Sequence, residues 1–326
     1  MIMIPVTKTF IPPIEEYSAV LNRAFKNGWL TNRGELVLEL EQKITERLKL
    51  TQSQIICLNN GTIPLQIALK LLANKGEIIT TPFSYVATTS AILWENCTPI
   101  FVDIHPKTLT INESFIEAAI TDKTTCILAT HVFGNPCNIE EIDRIAKKYN
   151  LKVIYDAAHC FGVEYKGKSI FEYGDISTCS FHATKVFHTG EGGAIFSTNK
   201  KIFDKIKLAH SFGHIGDDYI LPGINGKMSE LSAAMGIVNL NYLDLIIAKR
   251  KEIISFYNER LNFKKFESLE LRGNLLFYRP CGKVRLHFKY YKEKRLYNQT
   301  SFVNIVMMYQ NFACNTLDPK QYLWTR

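Results

Sequence analysis

Short apolar runs alternate with amphipathic stretches between residues 50 and 200 of the chain. This alternation is typical of strands and helices that follow one another in a mostly parallel sheet. Several runs are apolar throughout, as expected of strands that are covered on both faces. The pattern therefore predicts an α/β fold with strands at 54–58, 77–80, 99–102, 125–129, 152–155, 176–180 and 194–197.

Amphipathic stretches of helical period lie between and after these strands. The helices that they predict are 65–72, 139–149, 228–243 and 245–261. A chain of 326 residues is long enough to bury one large core and a smaller one. We therefore predict a large α/β domain over residues 1–240 and a smaller α+β domain over residues 241–326.

The net charge of +8 is concentrated at one end of the chain. Residues 261–326 hold 12 of the 39 Lys and Arg residues but only 4 of the 31 Asp and Glu residues, so the rest of the chain is neutral. A basic excess without a recognisable binding module argues against a nucleic-acid partner. The abrupt change after Phe263 is what a frameshifted reading would produce, with a divergent small domain as the alternative. We expect the smaller domain to be anomalous or incomplete from about residue 264.

The first ten residues contain neither a basic leader nor a long apolar stretch, and no later run approaches the roughly 18 apolar residues of a membrane span. We therefore expect a cytoplasmic protein without a membrane partner. The eight cysteines are scattered, without a Cys-x-x-Cys pair or a zinc-like spacing. Buried thiols in a reducing compartment are expected, and a metal site or a disulfide framework is not.

Polar residues that follow the apolar runs are candidates for a binding site, because ligands bind at the carboxyl ends of strands in open α/β sheets. The first run is followed by Asn60, Gly61 and Thr62, and then by a helical pattern. A glycine and a hydroxyl at a helix N-terminus offer N–H groups and a positive dipole to a phosphate. Asparagine and threonine also serve as ordinary helix caps, and that alternative stays open here.

An acid and a histidine, Asp156 and His159, follow the predicted strand at 152–155. A carboxylate at the end of a buried strand needs a partner, because burying an unpaired charge is costly. A protonated pyridine nitrogen is one such partner. The alternative is an aspartate that caps the next helix.

Lys185 follows the predicted strand at 176–180 and precedes a glycine-rich turn at 190–193. A lysine forms a Schiff base only when it is deprotonated, and removal from water lowers its pKa in that direction. Most single lysines are solvated surface charges. Lys185 is singled out because a phosphate-type turn and a strand-end aspartate precede it in this chain order.

The strand predicted at 77–80 is followed by Tyr85. An aromatic ring at this edge of the sheet is suited to stack on a flat heterocycle. Packing in the core is the ordinary alternative for an aromatic residue at the start of a helix.

Taken in this order, the motifs resemble the nucleotide-sugar aminotransferases of the DegT/DnrJ/StrS family, which are fold-type I pyridoxal 5'-phosphate (PLP) enzymes. The resemblance covers roughly residues 4–260 and implies a three-layer large domain followed by a smaller C-terminal domain. One departure is Gly226-Lys227, where the family more often has an aromatic residue and Arg. The matching segments are Gly28-Trp29-Leu30-Thr31, Asn60-Gly61-Thr62, Tyr85, Asp156-Ala157-Ala158-His159, Ser180 to Lys185, and Gly223 to Glu230.

The resemblance assigns roles to individual residues. Lys185 would hold PLP as a Schiff base and move protons, Asp156 would pair with the pyridine nitrogen, and Tyr85 would stack on the ring. Asn225 would reach the cofactor phosphate of a neighbouring subunit, which implies a homodimer. The other residues expected to bind the cofactor are Asn60, Gly61, Thr62, His159 and Ser180, and those expected to bind the substrate are Trp29, Leu30, Thr31 and His188.

The reaction that the resemblance implies moves an amine from an amino acid, glutamate, to a nucleotide-linked keto-sugar. The sequence around Lys185 is similar to that of enzymes that aminate dTDP-4-keto-6-deoxyglucose for surface polysaccharides such as the lipopolysaccharide O-antigen. Relatives that act on 3-keto sugars or on UDP or GDP sugars are one alternative, and an inactive, truncated relative is another. A Schiff-base aldolase without PLP would leave Asp156 unexplained, and the related dehydratases resemble a version with His at the position of Lys185.

Overall fold

The structure, a computed structural model, describes residues 8–260 and 272–273, with the backbone alone for residues 257–260. The strands of its central sheet are β1 (Gln54–Leu58), β2 (Glu77–Thr80), β3 (Thr98–Phe101), β4 (Thr124–Thr130), β5 (Lys152–Asp156), β6 (Ile176–Ser180) and β7 (Gly193–Ser197). The α-helices are α1 (Ile14–Asn27), α2 (Glu35–Arg47), α3 (Ile63–Leu72), α4 (Val86–Trp94), α5 (Ile139–Tyr149), α6 (Lys200–Ala209), α7 (Glu230–Asn241) and α8 (Leu243–Arg260). Two short hairpins lie outside the sheet: Glu164–Tyr165 pairs with Lys168–Ser169, and His214–Ile215 pairs with Asp218–Tyr219.

The seven strands lie in the order β1-β7-β6-β5-β4-β2-β3. The pairs from β6 to β3 are parallel, whereas β7 is antiparallel to both of its neighbours, β1 and β6. The segments that follow β1, β2, β5 and β6 therefore leave the same edge of the sheet. This mostly parallel sheet confirms the predicted α/β fold class.

Helices cover both faces of the sheet and give the molecule three layers. Alternate residues of a strand point to opposite faces, and in β1 Ile55 and Cys57 belong to one buried cluster while Ile56 and Leu58 belong to the other. The first cluster includes apolar residues of α2, α5 and α7, and the second includes those of α3, α4 and α6. Burial on both faces explains the continuous apolar runs that the sequence shows.

Several helices begin or end at residues that suit those positions. The side chain of Asn199 accepts hydrogen bonds from the N–H groups of Lys201 and Ile202 at the start of α6, at 2.9 and 3.2 Å. Gly28 ends α1 with a φ of +64°, a conformation that glycine adopts without strain. The apolar periodicity did not predict α1, α2, α4 or α6. It placed β1, β2, β6 and α5 at the observed bounds.

The C-terminal part of the described chain packs on elements that precede it in the sequence. Helix α7 contacts α1 and α2, and α8 follows it. Farther along, the N–H of Arg272 donates to Asn135 Oδ1 at 2.8 Å, and its guanidinium lies 3.4 Å from Glu113. The rest of the predicted smaller domain lies outside the described residues, so its boundary stays a prediction.

Two further expectations concern cysteines and membrane spans. The six cysteines of the described chain are free and buried, as expected. Within residues 8–260, no single helix is long and apolar enough to cross a membrane; the pair Glu230–Asn241 and Leu243–Phe256 meets the length and composition criteria only together, with a bend of 62°.

Candidate active site

The carboxylate of Asp156 is the most constrained acidic group at the edge of the sheet. Asp156 ends β5 and is 5% exposed. One carboxylate oxygen accepts a hydrogen bond from the Thr88 hydroxyl at 2.7 Å, and the other accepts from the Ala158 N–H at 3.1 Å. Burial raises the pKa of Asp156, whereas these two hydrogen bonds and the positive charge of Lys185 act to lower it. The carboxylate is held in one orientation, and a cationic partner nearby favours its ionised form.

Lys185 provides that cationic charge from the segment that follows β6. Its backbone N–H donates to the carbonyl oxygen of His182 at 2.8 Å, which closes a turn. Burial lowers the pKa of Lys185, the Asp156 carboxylate acts to raise it, and Arg250 of α8 lowers it further. An amine in these surroundings loses its proton more readily than a surface lysine. Lys185 is therefore suited to act as a nucleophile or a base.

His159 shares the surroundings of Lys185. Burial lowers the pKa of His159 well below its ordinary value, and the positive charges of Lys185 and Arg250 lower it further. A neutral imidazole has one nitrogen that donates and one that accepts a hydrogen bond. The structure thus brings Asp156, His159 and Lys185 together, as the order of the sequence motifs predicts.

The turn after β1 fits closely against the end of β6. A Cβ atom added to Gly61 would lie 2.7 Å from the Cβ and 2.9 Å from the Oγ of Ser180, so only glycine allows this approach. Gly193 is equally confined, because its Cβ would lie 2.3 Å from the carbonyl oxygen of Asn60. The N-terminal end of α3 and the Ser180 hydroxyl therefore lie side by side, as in a cradle for an anion.

Asn60 stabilises this turn through its side chain. Its Oδ1 accepts hydrogen bonds from the N–H groups of Thr62 and Ile63 at 2.8 and 2.9 Å. The helix-capping alternative is therefore correct for the side chain of Asn60, and its contact with a cofactor stays a prediction. With the N–H groups of Thr62 and of Ile63, the first residue of α3, already bonded to Asn60, the Thr62 and Ser180 hydroxyls are the neighbouring groups suited to bind an anion.

Tyr85 and Thr88 lie one turn apart at the start of α4. The N–H of Thr88 donates to the carbonyl oxygen of Tyr85 at 3.1 Å, and Thr88 is fully buried against Asp156. Tyr85 is 48% exposed, so its ring is not part of the core. The ring is accessible, and the stacking role of Tyr85 stays a prediction.

The loop of residues 28–34 follows α1 and carries the predicted substrate residues Trp29, Leu30 and Thr31. Trp29 and Leu30 are 55% and 41% exposed. The carbonyl oxygen of Leu30 accepts a hydrogen bond from the N–H of Glu230 at 3.0 Å, which joins the loop to the start of α7. Their contact with a substrate stays a prediction.

Asn225 lies on the surface beside the end of β1. Its carbonyl oxygen accepts a hydrogen bond from the Asn59 side chain at 3.5 Å, and Asn59 directly precedes the Asn60–Thr62 turn. Asn225 itself is exposed. This position leaves it accessible to a second subunit.

His188 is more deeply buried than a substrate-binding residue would be expected to be. It is 3% exposed; its Nε2 lies 2.7 Å from the Phe10 carbonyl oxygen, and its Nδ1 accepts from the Gly190 N–H at 3.3 Å. The Asn239 amide donates to the His188 carbonyl oxygen at 2.9 Å. The geometry favours a role in holding the segment after Lys185, and substrate contact by His188 stays a prediction.

The residues at this edge of the sheet fit PLP. The cradle between Gly61 and Ser180 and the Thr62 hydroxyl suit its phosphate, and the bound carboxylate of Asp156 suits its pyridine nitrogen. The buried amine of Lys185 suits its aldehyde. When bound, PLP supplies an electron sink for chemistry at the carbon that carries an amine. The donor set consists of hydroxyls, N–H groups, one carboxylate and one amine, and no group of three His, Cys, Asp or Glu that suits a metal ion occurs in the described part of the chain.

Thr88, Glu230 and Arg250 are site residues to which sequence reasoning assigned no role. Thr88 lies three positions after Tyr85, so the turn of a helix places both at the same edge. Had α4 been predicted, that spacing would have been a usable signal. The contacts of Glu230 and the proximity of Arg250 to Lys185 depend on tertiary packing.

We predict that Thr88→Val weakens PLP binding by about tenfold or more, because it removes a hydrogen bond to a charged, buried acceptor. The Thr88 hydrogen bond lowers the pKa of Asp156, so the pKa is higher in this variant. When the pH is lowered, the variant therefore loses the charge of Asp156, and with it PLP binding, at a higher pH than the wild type does. Equilibrium dialysis with PLP across a pH series measures both effects. Thr88→Ser keeps the hydroxyl and should resemble the wild type; equal losses in both variants would contradict the prediction.

We also predict that the amine of Lys185 reacts at a lower pH than its ordinary pKa of 10.5 implies, because burial disfavours its charged form. The measurement is competitive acetylation of the cofactor-free protein over a pH series, read at Lys185 by mass spectrometry. Asp156→Asn should lower the midpoint further, because the carboxylate raises the pKa of the lysine. A midpoint at or above pH 10.5 would contradict the prediction, because it would show that burial does not lower the pKa of Lys185.

Comparison with known proteins agrees with this geometry. A sequence model of the DegT/DnrJ/EryC1/StrS aminotransferase family matches residues 14–273. The dTDP-4-amino-4,6-dideoxy-D-glucose transaminase of Shigella dysenteriae is 46% identical over 257 residues, which cover 78% of this chain and 70% of the relative. The Escherichia coli protein of the same name is 45% identical over 264 residues, which cover 79% and 70%.

A solved structure shows the same fold. The crystal structure of DesI in the presence of its TDP-sugar product superposes with a TM-score of 0.75 and 30% identity. The match covers 79% of this chain and 65% of the DesI chain, so this chain spans slightly less than two thirds of that protein. The family match includes Gly61, Asp156, Ser180 and Lys185 and most of the remaining chain. The chain therefore belongs to the DegT/DnrJ/EryC1/StrS aminotransferase family, a family of PLP-dependent enzymes.

Proposed function

We propose that this protein is a PLP-dependent aminotransferase that moves an amine from glutamate to a nucleotide-linked keto-deoxysugar. The observation that carries the proposal is the buried, hydrogen-bonded carboxylate of Asp156, which shares its surroundings with the half-buried Lys185 and lies beside a cradle for a phosphate. An aldolase that uses only a lysine has no need of Asp156 in this arrangement.

The residues of the chain divide the chemistry between them. Asp156 holds a proton on the pyridine nitrogen, and Thr88 and Ala158 keep the carboxylate oriented for this task. The amine of Lys185, whose pKa burial lowers, would take a proton from the α-carbon of the amino donor and deliver it to C4' of the bound cofactor, and would move a proton in the reverse direction when the keto-sugar accepts the amine. Ser180 and Thr62 hold the phosphate, so the ring stays in place when Lys185 is released.

The substrate that we propose is dTDP-4-keto-6-deoxyglucose. Two relatives at 45% and 46% identity are named as transaminases of the corresponding 4-amino sugar. The product is then a building block of surface polysaccharides such as the O-antigen. The free, buried cysteines of the described chain support the cytoplasmic location expected from the sequence.

A turnover assay tests this proposal. Purified protein with PLP should show a visible absorbance band and should transfer an amine from glutamate to dTDP-4-keto-6-deoxyglucose, measured by mass spectrometry of the product. Lys185→Ala should lose the band and the activity. Lys152→Ala should keep both, because Lys152 lies at the opposite end of β5 from Asp156 and forms a surface ion pair with Asp175. UDP- and GDP-linked 4-keto sugars and a 3-keto sugar test the alternative substrates.

Each outcome of the assay has a distinct meaning. Absence of the band in wild-type protein with excess PLP would refute the cofactor assignment. A band without turnover of any keto-sugar would indicate a relative that binds PLP and is inactive. Preference for another sugar would leave the class of reaction intact and correct the substrate.

We further propose that the protein acts as a homodimer in which Asn225 binds the cofactor phosphate of the partner subunit. Asn225 is exposed, and the nearby hairpin presents large apolar side chains to solvent: Ile215 is 63% exposed and Tyr219 is 82% exposed. Phe212 and Ile220, at 48% and 56% exposure, extend the same surface. Clustered exposed apolar residues are typical of a surface that another protein covers.

Mixing inactive variants tests this arrangement. Lys185→Ala and Asn225→Ala should each lose activity, and subunits of the two variants that are denatured and refolded together should regain part of it. In such a mixed dimer one site combines an intact Lys185 with the intact Asn225 of the other subunit. If Asn225 acted within its own subunit, every site would lack one of the two residues and no activity would return.

A further inference from the structure

Glu230 is a fully buried carboxylate outside the group formed by Asp156, His159 and Lys185. One of its oxygens accepts a hydrogen bond from the N–H of Leu36 at 2.7 Å, and the other accepts from the N–H of Val37 at 3.4 Å. These N–H groups belong to the first turn of α2 and have no partner within the helix. The positive end of the helix dipole further stabilises a negative charge here.

The same residue also contacts both ends of the loop of residues 28–34. Its backbone N–H donates to the carbonyl oxygen of Leu30 at 3.0 Å. A Cβ atom added to Gly34 would lie 2.9 Å from the Glu230 carboxyl carbon and 2.5 Å from the Trp29 ring. Glycine at position 34 therefore allows the loop to close tightly around Glu230.

The loop has an uncommon backbone conformation and a buried side-chain contact. Asn32 and Arg33 both have φ values of +59°, a region in which residues other than glycine are strained. Arg33 is fixed by a hydrogen bond of 3.1 Å from its Nε to the buried carboxylate of Glu41, which also accepts from the Cys57 N–H at 2.9 Å. Two buried carboxylates thus hold the loop in place, Glu41 from one side and Glu230 from the other.

The start of α7 connects this loop to the segment that carries Lys185. A Cβ atom added to Gly192 would lie 2.9 Å from the end of the Met228 side chain, so the residues just before Glu230 touch the glycine-rich turn after Lys185. The loop, joined to the start of α7 through Leu30, presents Trp29 and Leu30 to solvent. An aromatic ring and an aliphatic side chain suit the flat base and the deoxysugar of a nucleotide-sugar, whereas glutamate offers no such surface.

We infer that Glu230 is a positioning residue, which fixes the loop of residues 28–34 as a wall of the pocket for the nucleotide-sugar and leaves the binding of the amino donor unaffected. The inference rests on the proposed function for the identity of the two substrates. It assigns to Glu230 a role in one half of the reaction only, and a residue that merely stabilises the fold would affect both halves alike.

Glu230→Gln tests the inference because it preserves size and removes the charge that the two N–H groups of α2 stabilise. Calorimetry with dTDP-glucose, which needs no turnover, should show affinity weakened by about tenfold, as expected for the loss of a charge-assisted hydrogen bond. Stopped-flow absorbance should show an unchanged reaction of the PLP form with glutamate. The reaction of the aminated form with the keto-sugar should need about tenfold more sugar for half its maximal rate.

Glu172→Gln is the matched control. The Glu172 carboxylate likewise accepts from backbone N–H groups, those of Thr51 at 2.9 Å and Ser53 at 3.2 Å, but it lies at the opposite end of β1. This variant should leave dTDP-glucose binding and both halves of the reaction unchanged, whatever its thermal stability.

Gly34→Ala provides a second variant should Glu230→Gln fail to fold. Its added methyl displaces Trp29 without removing a charge, and it should give the same separation between the two halves of the reaction. Unchanged dTDP-glucose affinity in both variants, or equal losses in both halves, would overturn the inference. Failure of the proposed function is distinguishable, because the wild type would then bind dTDP-glucose without transferring an amine, or would show no PLP band.

Discussion

The site depends on a carboxylate and an amine that share one poorly hydrated edge of the sheet. Burial acts against both charges: it raises the pKa of Asp156 and lowers that of Lys185. Each charge partly offsets this effect on the other, and the Thr88 hydroxyl adds to the stabilisation of the carboxylate. The amine stays reactive because the compensation is incomplete, while the carboxylate, with hydrogen bonds at both oxygens, remains a fixed partner for a cation.

The backbone brings the groups of this site together. Parallel β5 and β6 deliver Asp156 and Ser180 to one edge, and the close approach of Gly61 to Ser180 adds the N-terminus of α3. The loop of residues 28–34 lies beside this arrangement and is held by buried carboxylates of α2 and α7. The positions of reactive side chains are thus set by strand ends and by glycines.

The strands of the sheet, and the candidate site residues that lie directly after them, could be predicted from the sequence. Continuous apolar runs identify strands covered on both faces, and chain order then places Asp156 and Lys185 at their ends. Thr88 was missed because α4 was not predicted, so its spacing from Tyr85 could not be used, and its partner Asp156 lies 68 residues away. Glu230 was missed because its partner Leu36 lies 194 residues away and a carboxylate at such a position gives no local signal. The direction of β7 was not predicted, since hydrophobic runs carry no information on strand direction. The family resemblance assigned His188 to the substrate, whereas its burial against Phe10 follows from tertiary packing.

The antiparallel strand β7 has a consequence for the order in which the site assembles. It pairs Ser197 with Gln54 and Gly193 with Leu58, and it pairs Gly193 with Ser180 on its other side. The turn after β1 and the end of β6 therefore meet only once β7 has entered the sheet between them. Such contacts between distant parts of a chain form late, because the entropy of closing a long loop must first be overcome. The close approach of Gly61 to Ser180 thus depends on the pairing of β1 with β7, which joins residues as far apart as Gln54 and Ser197, and a growing chain can form it only after β7 has been synthesised.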